Sequence, residues 1–387
     1  MIEERIAAFH GELTAIRHDL HMHPELLFQE HRTSAIVAAE LARHGYRITT
    51  GIAGTGVIGT LSNGTGSRSL GIRADMDALP IHEQSNLPHA SRTAGKMHAC
   101  GHDGHTTMLL GAARYLAETK NFNGTVHLIF QPAEEDESGA KKMIEEGLFK
   151  RFPCDAVFAL HNIPGEDVGQ ITVRPGAITA AVDIVNVTIR GVGGHGAIPQ
   201  KAVDPIVAAS GVVLALQSVV ARNVDPHDAA VITVGAFNAG NMATVIPETA
   251  ALQIGVRTCT AEVRELMRRR IPEIINGQAK SFGCEAEISY GHGFSYPSGF
   301  NTPAEADLVR KVAIAAGQDP ARIDMRGPFM FSEDFAYMQE AVPSCYFGLG
   351  NGPSRSLHDA GSDFNDALLI KGPAFWAALV ETFLAAD

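Results

Sequence analysis

The segment Met97-His-Ala-Cys-Gly-His-Asp-Gly-His105 places a thiol and an imidazole two residues apart, Cys100 and His102, with a glycine between them that lets both turn to one point. Sulfur and imidazole nitrogen at that spacing are metal-ligand chemistry. Gln131-Pro-Ala-Glu134-Glu135 sets two carboxylates side by side, and neighbours in extended or turning backbone point different ways. One of the pair can face a metal while the other reaches a water beside it. His161, in Ala-Leu-His-Asn, and His358, in Ser-Leu-His-Asp, each come after an apolar run. Taken singly, each has a plainer reading: a buried thiol, a solvated acidic loop, hydrogen-bonded loop histidines. Together, Cys100, His102, Glu135, His161 and His358 form a mixed S, N and O set, enough for two divalent ions sharing a bridge, and a thiolate can be that bridge.

Such a set needs rigid elements to bring it together. Ile6, Phe9, Leu13, Ile16 and Leu20 fall on one face of an opening helix closed by Pro24, and a second helix runs from about Ser34 to His44, stopped by Gly45. Strands are expected near 56–61, 69–73, 125–130, 155–160 and 345–349, and helices near 104–118, 139–149, 304–316, 335–340 and 368–385. This alternation predicts an α/β fold, a mixed or mostly parallel sheet with helices on both faces. In such sheets sites form beyond the carboxyl ends of strands, and Asp75, Glu134-Glu135, His161 and His358 all follow strands. From Val182 the order changes to strand, helix, strand, strand, helix, strand: 182–189, a helix capped by Asp204 with Pro205 first, 229–237, 250–257, a helix from Ala261, and 285–290. That is a ferredoxin-like βαββαβ unit, inserted between boundaries near Gly176 and Gly293. The expected domains are 1–178 with 293–387, and 179–292.

Composition sets outer limits. The chain has 387 residues, 45% hydrophobic and 19% charged, which suits a globular protein of two domains. A formal net charge of -12 argues against nucleic-acid or anionic-membrane partners. No segment is expected to reach the apolar length of a membrane span, and the opening residues lack the order of a signal peptide, so a cytoplasmic protein is expected. Cys100, Cys154, Cys259, Cys284 and Cys345 are odd in number and scattered, which fits reduced thiols.

The runs Arg73-Ala-Asp-Met-Asp-Ala-Leu-Pro80, Met97 to His105, Gln131 to Glu135, Gly193-Gly-His195, Val245-Ile-Pro247, Ser332-Glu-Asp-Phe-Ala336 and Asp363-Phe-Asn-Asp366 resemble the M20 metallopeptidase family. They are most similar to its amidohydrolase branch of hippurate hydrolases, N-acyl-amino-acid deacylases and auxin-conjugate hydrolases. The similarity spans nearly the whole chain in order. It implies a catalytic domain with two divalent metal ions per subunit (Zn, Mn, Co or Ni) and a smaller lid domain that also makes a homodimer. Carried over by motif, Cys100 bridges the metals, His102 and His161 hold one, Glu135 and His358 hold the other, and Glu134 is the general base. Asp75 is implied to orient a ligand imidazole from behind, with Arg73 standing where relatives with a His-x-Asp motif have a ligand histidine. His195 is a candidate oxyanion donor brought in on lid closure, including from a partner subunit, and Arg257 a candidate clamp for a substrate carboxylate. The other histidines, such as His21, His23, His82 and His89, are read as structural, and Phe329-Met330-Phe331 as core or pocket wall.

The expected activity is metal-dependent hydrolysis of N-acyl amino acids, of hippurate or N-acetyl-amino-acid type. Dipeptidase or carboxypeptidase activity is the alternative with the same bond chemistry, and a non-catalytic metal-binding relative is the alternative of another class. Departures from the family pattern bear on specificity: Gly196-Ala-Ile-Pro-Gln200 follows His195 where Ala-Ala-x-Pro-His is common, and Thr244 precedes Val-Ile-Pro where an Asn is common.

Overall fold

Four mostly buried runs, Ser69–Asp75, Gly124–Gln131, Ala156–Pro164 and Ser344–Gly352, lie parallel at the centre of a seven-stranded mixed sheet. In the computed structural model, which describes residues 1–136, 138–291 and 295–385, three outer strands are antiparallel: Gly56–Asn63 and Arg47–Ile52 on one side, Ile171–Thr172 on the other. Strand alternation sorts the side chains onto two faces. Leu70, Ile72, Val126, Leu128, Phe158, Leu160 and Phe347 join the main core with the helices His102–Thr119 and Leu368–Phe383. The alternate residues Arg73, Asp75, Gln131 and His161 take the other parity, and register sets Asp75 opposite Gln131 and Gly348 opposite His161. Polar donors are thereby collected at the carboxyl end of the parallel strands, as the α/β rule requires.

The chain divides into two compact units: residues 1–178, 300–327 and 334 onward, and residues 179–299 with 328–333. Gly293, expected as a boundary, lies outside the described residues. The segment Pro328–Glu333 joins the second unit because its backbone pairs there: the Phe331 carbonyl accepts from Ala180 N–H at 3.0 Å, and Phe329 bridges Thr179. The second unit has an antiparallel sheet in the order Ala230–Ala239, Thr249–Thr258, Ala181–Arg190, Glu285–Tyr290. Helices Pro205–Asn223 and Ala261–Ser281 pack on each other and on the sheet through Val185, Val187, Leu252, Ile254, Val212 and Ile271. Asp204 caps the first helix, accepting from Ile206 N–H at 2.8 Å.

Several elements differ from the sequence expectation. The opening helix is two, Ile2–Ala7 and His10–Met22, broken where Phe9 leaves helical geometry and buries its ring beneath the Arg114 guanidinium. The helix expected over 139–149 is likewise two, Gly139–Glu145 and Leu148–Arg151, interrupted by Gly147 at φ +90°. His161 lies inside its strand, which runs on to Pro164. Contrary to expectation, Pro205–Asn223 is long and apolar enough to cross a membrane by length and composition. Its Ala208, Val212, Leu216 and Val219 are core residues of the second unit, while Val207 and Leu214 on the same helix are exposed.

A buried histidine away from the polar cluster gives the fold a measurable acid response. His127 on Gly124–Gln131 bonds Thr60 through Nδ1 at 2.9 Å, and burial, aided by Arg47, pushes its pKa down to about 4. The native state therefore binds fewer protons than the unfolded chain between pH 4 and 6.5, so this contribution is complete above pH 6.5 and is lost as pH falls toward 4. His127→Phe should gain about 2 kcal/mol relative to wild type between pH 7 and 4.5, read from urea unfolding of both proteins. A difference that stays constant across that range would refute the assignment.

Candidate metal centre

Two triads of donor atoms share one sulfur. Cys100, His102 and His161 form the first, Cys100, Glu135 and His358 the second, and within each triad one ligand atom per residue lies within 4.8 Å of the others. The five candidate ligands are thus brought together, all within the first unit. Glu134 is buried beside them, grouped with His102 and Glu135 over the same span.

The local structure explains the convergence. Gly101 sits at φ +97° and caps the helix His102–Thr119; a Cβ there would lie 2.5 Å from Asn162 Oδ1, so only glycine lets Cys100 and His102 turn inward together. His102 Nδ1–H donates to the Asp77 carbonyl at 2.9 Å, which turns Nε2 toward the cluster. That Nε2 is buried with no hydrogen-bond partner, and so is Glu135 Oε1. Buried polar atoms left unpaired in this way are costly unless a further partner or an ion meets them. His161 Nδ1–H donates to the Asn162 carbonyl at 2.9 Å, turning Nε2 toward Cys100 Sγ at 3.3 Å. His358 closes the set from a loop, held at φ +64° with its N–H on the Ala99 carbonyl at 2.9 Å and Nε2 3.5 Å from Glu135 Oε2. A non-glycine residue in that conformation stores strain, which functional sites tolerate.

Electrostatics favour cations. Burial would lower the pKa of His102, but Asp75, Asp77 and Glu135 outweigh it and hold the ring up at about 10. Burial, reinforced by Glu135, Glu134 and Asp75, pushes the Cys100 thiol well up. Acidic groups crowd a dry site, and a divalent cation would satisfy both the orphan lone pairs and the charge.

The residues behind the candidate ligands include two that sequence did not single out, Asp77 and His105. Asp75 accepts from His105 Nδ1–H at 2.6 Å and from Arg73 Nη1 at 2.6 Å, and its Oδ2 also lies 3.7 Å from His102 Nε2. Asp77 meets two of the candidate ligands as well: its carbonyl holds His102, and its carboxylate accepts from Glu135 N–H at 3.0 Å. A third grouping, Asp75 with His102 and His105, fits a metal less well, because His105 Nε2 already meets Asn162 N–H at 3.1 Å. Arg73 is fully committed to structure: besides Asp75 it donates to Gln131 Oε1 at 2.8 Å, and Gln131 donates to Asp334 at 2.7 Å. Behind the helix, Arg17 pairs with Asp103 at 2.9 Å, and His21 donates to the same Asp103 oxygen at 2.8 Å. Asp77 and His105 stood inside motifs read from sequence, but motif spacing does not say which acid faces which imidazole.

His195 and Arg257 belong to the second unit. Gly194-His195 pairs with Val245-Ile246, and Thr244 accepts from Gly196 N–H at 2.8 Å, so Thr244 lies against the His195 turn. His195 Nδ1 accepts from Ala197 N–H at 3.1 Å, which puts its proton on Nε2, and the ring is exposed. Arg257, next to last in its strand, donates to the Ser332 hydroxyl.

A parallel-centred α/β sheet with two overlapping groups of candidate metal ligands sharing Cys100 has the features of a metallohydrolase centre. A family model described as Peptidase family M20/M25/M40 matches residues 71–382, and the chain belongs to that family. It is 43% identical over 375 residues to a hippurate hydrolase of Campylobacter jejuni, covering 97% of each chain. It is 37% identical to an N-acetyl-L-cysteine deacetylase of Bacillus subtilis, covering 96% of this chain and 88% of the relative. Among solved structures, a dinuclear metal binding peptidase of the M20 family from Bacillus subtilis superposes with a TM-score of 0.85 at 32% identity, covering 98% of this chain and 100% of that one.

Proposed function

We propose that this chain hydrolyses the amide bond of N-acyl amino acids, releasing a carboxylic acid and an amino acid, with two divalent ions held by Cys100, His102, Glu135, His161 and His358. The chain is an amidohydrolase of the M20 family. The observation that carries the reading is the pair of triads meeting at Cys100 with a buried carboxylate, Glu134, alongside. Divalent cations in such a site supply Lewis acidity, making water easier to deprotonate and drawing electron density from an amide carbonyl.

The protein's own groups do the rest. Glu134 accepts the proton of the attacking water and returns it to the departing amine nitrogen. Backbone carbonyls at the far nitrogens of His102 and His161 fix the ring orientations that turn their Nε2 atoms to the cluster. His195, with its proton on Nε2, is a ready donor for the developing oxyanion, and Arg257 a bidentate partner for the substrate carboxylate. Both roles assign the second unit to substrate closure, and we assign it also to homodimer formation. All five cysteines are unpaired, which fits a reducing compartment and supports a cytoplasmic location.

The test is a substrate panel of hippurate, N-acetylmethionine, an indoleacetyl-amino acid and a dipeptide, offered to chelated enzyme and after return of Zn, Mn, Co or Ni. Cleavage restored by metal and confined to the N-acyl amino acids is expected. Cleavage of the dipeptide alone would overturn the substrate class while leaving the bond chemistry in place.

A further inference from the structure

Ala133, the residue before the Glu134-Glu135 pair, is held at φ +53°, a conformation that alanine adopts only under restraint. The restraint comes from a residue a hundred positions away. Glu30 is fully buried, and its Oε1 accepts from Ala133 N–H at 3.0 Å and from Phe28 N–H at 3.0 Å, while Oε2 accepts from the Thr55 hydroxyl at 2.6 Å. No cation lies among those partners; three donors from three segments converge on one carboxylate.

The position of Glu30 makes this use unusual. It is the N-cap of the helix His31–Arg43, where a side chain ordinarily caps its own helix, yet it makes no such bond. Glu25 does that work instead, accepting from Arg32 N–H at 2.9 Å and Thr33 N–H at 2.8 Å. Glu30 is thereby free to reach the loop. On the far side of the loop, Ala133 carbonyl accepts from Gly139 N–H at 2.9 Å, and a Cβ on Gly139 would lie 1.7 Å from Pro132 carbonyl oxygen. The turn is pinned at both ends, and its strained residue sits directly before the proposed base.

We propose that Glu30 is a positioning residue for the reaction: its buried carboxylate holds Ala133 in the left-handed conformation and so aims Glu134. The proposal rests on the reading of Glu134 as general base. It explains why a buried acid with no counter-charge is kept where a neutral cap would serve the helix. Its effect should fall on kcat, because no substrate group meets Glu30.

Three substitutions and one rescue test it. Glu30→Gln keeps a carbonyl oxygen for the Ala133 and Phe28 N–H groups, and kcat should stay within about 3-fold of wild type. Glu30→Asp withdraws the carboxylate by one methylene and Glu30→Ala removes it; kcat should fall about 10-fold and about 100-fold, with KM changed less than 3-fold and bound metal unchanged. Adding Ala133→Gly, which enters the left-handed region freely, should recover at least half of the lost log kcat. If Glu30→Ala does not fold, Glu30→Asp with and without Ala133→Gly carries the comparison. Hydrogen exchange of the 131–139 peptide provides a readout independent of turnover: it should quicken in Glu30→Asp and not in Glu30→Gln. An enzyme that cleaves nothing in the panel would sink the function reading, and exchange would still decide the clamp. Unaltered exchange in Glu30→Asp, or a kcat loss that Ala133→Gly does not relieve, would overturn the positioning role.

Discussion

Glu134→Gln is expected to lower kcat by about 10³-fold while the protein keeps its full complement of bound metal. One group is asked to move a proton twice, from water and then to the leaving amine, and general acid–base catalysis by a placed side chain is worth roughly 10²–10⁴. Glutamine keeps the shape and one acceptor oxygen but cannot take the proton. The two triads that meet at Cys100 do not include Glu134, so ligation should survive the change. Turnover of the best panel substrate and metal content by elemental analysis, measured on the same preparation, check both halves. A fall of less than ten-fold would remove Glu134 as the base. Loss of an ion would make it a ligand instead.

The contrast between Glu134 and its neighbours shows what a sequence conveys. The candidate donor types and their order were legible, because Cys-Gly-His, adjacent glutamates and histidines after apolar runs are local patterns, but their placement was not: His161 lies inside its strand and His358 on a loop. The parallel centre of the sheet was legible for the same reason. What was not legible is which acid faces which imidazole. Asp75 and Asp77 share one motif, but Asp75 ends its strand opposite Gln131 and meets His105 and Arg73, while Asp77 lies two residues past the strand and meets His102 and Glu135.

Long-range polar contacts were hidden more deeply. The Arg17 to Asp103 pair spans 86 positions and the Glu30 to Ala133 bond 103, and nothing in either segment advertises the other. Breaks in helices were hidden too. The periodicity of Ile6, Phe9 and Leu13 continues across the interruption at Phe9, since two short helices in line bury the same face as one.

Cys100→Ala should empty the whole centre, where His161→Ala and Glu135→Ala should each weaken one ion more than the other. The reason is geometric: Cys100 Sγ belongs to both triads, while His161 and Glu135 belong to one each. Removing even an outlying partner of a metal ligand costs about 10–100-fold in affinity, and loss of a shared ligand should exceed that for both ions at once. Elemental analysis after dialysis against buffer without chelator should show about two ions in wild type, close to none in Cys100→Ala, and an intermediate content in the two single-triad variants. One tightly held ion remaining in Cys100→Ala would mean that the triads do not share the sulfur in function, and that Glu135 rather than Cys100 joins the two halves of the site.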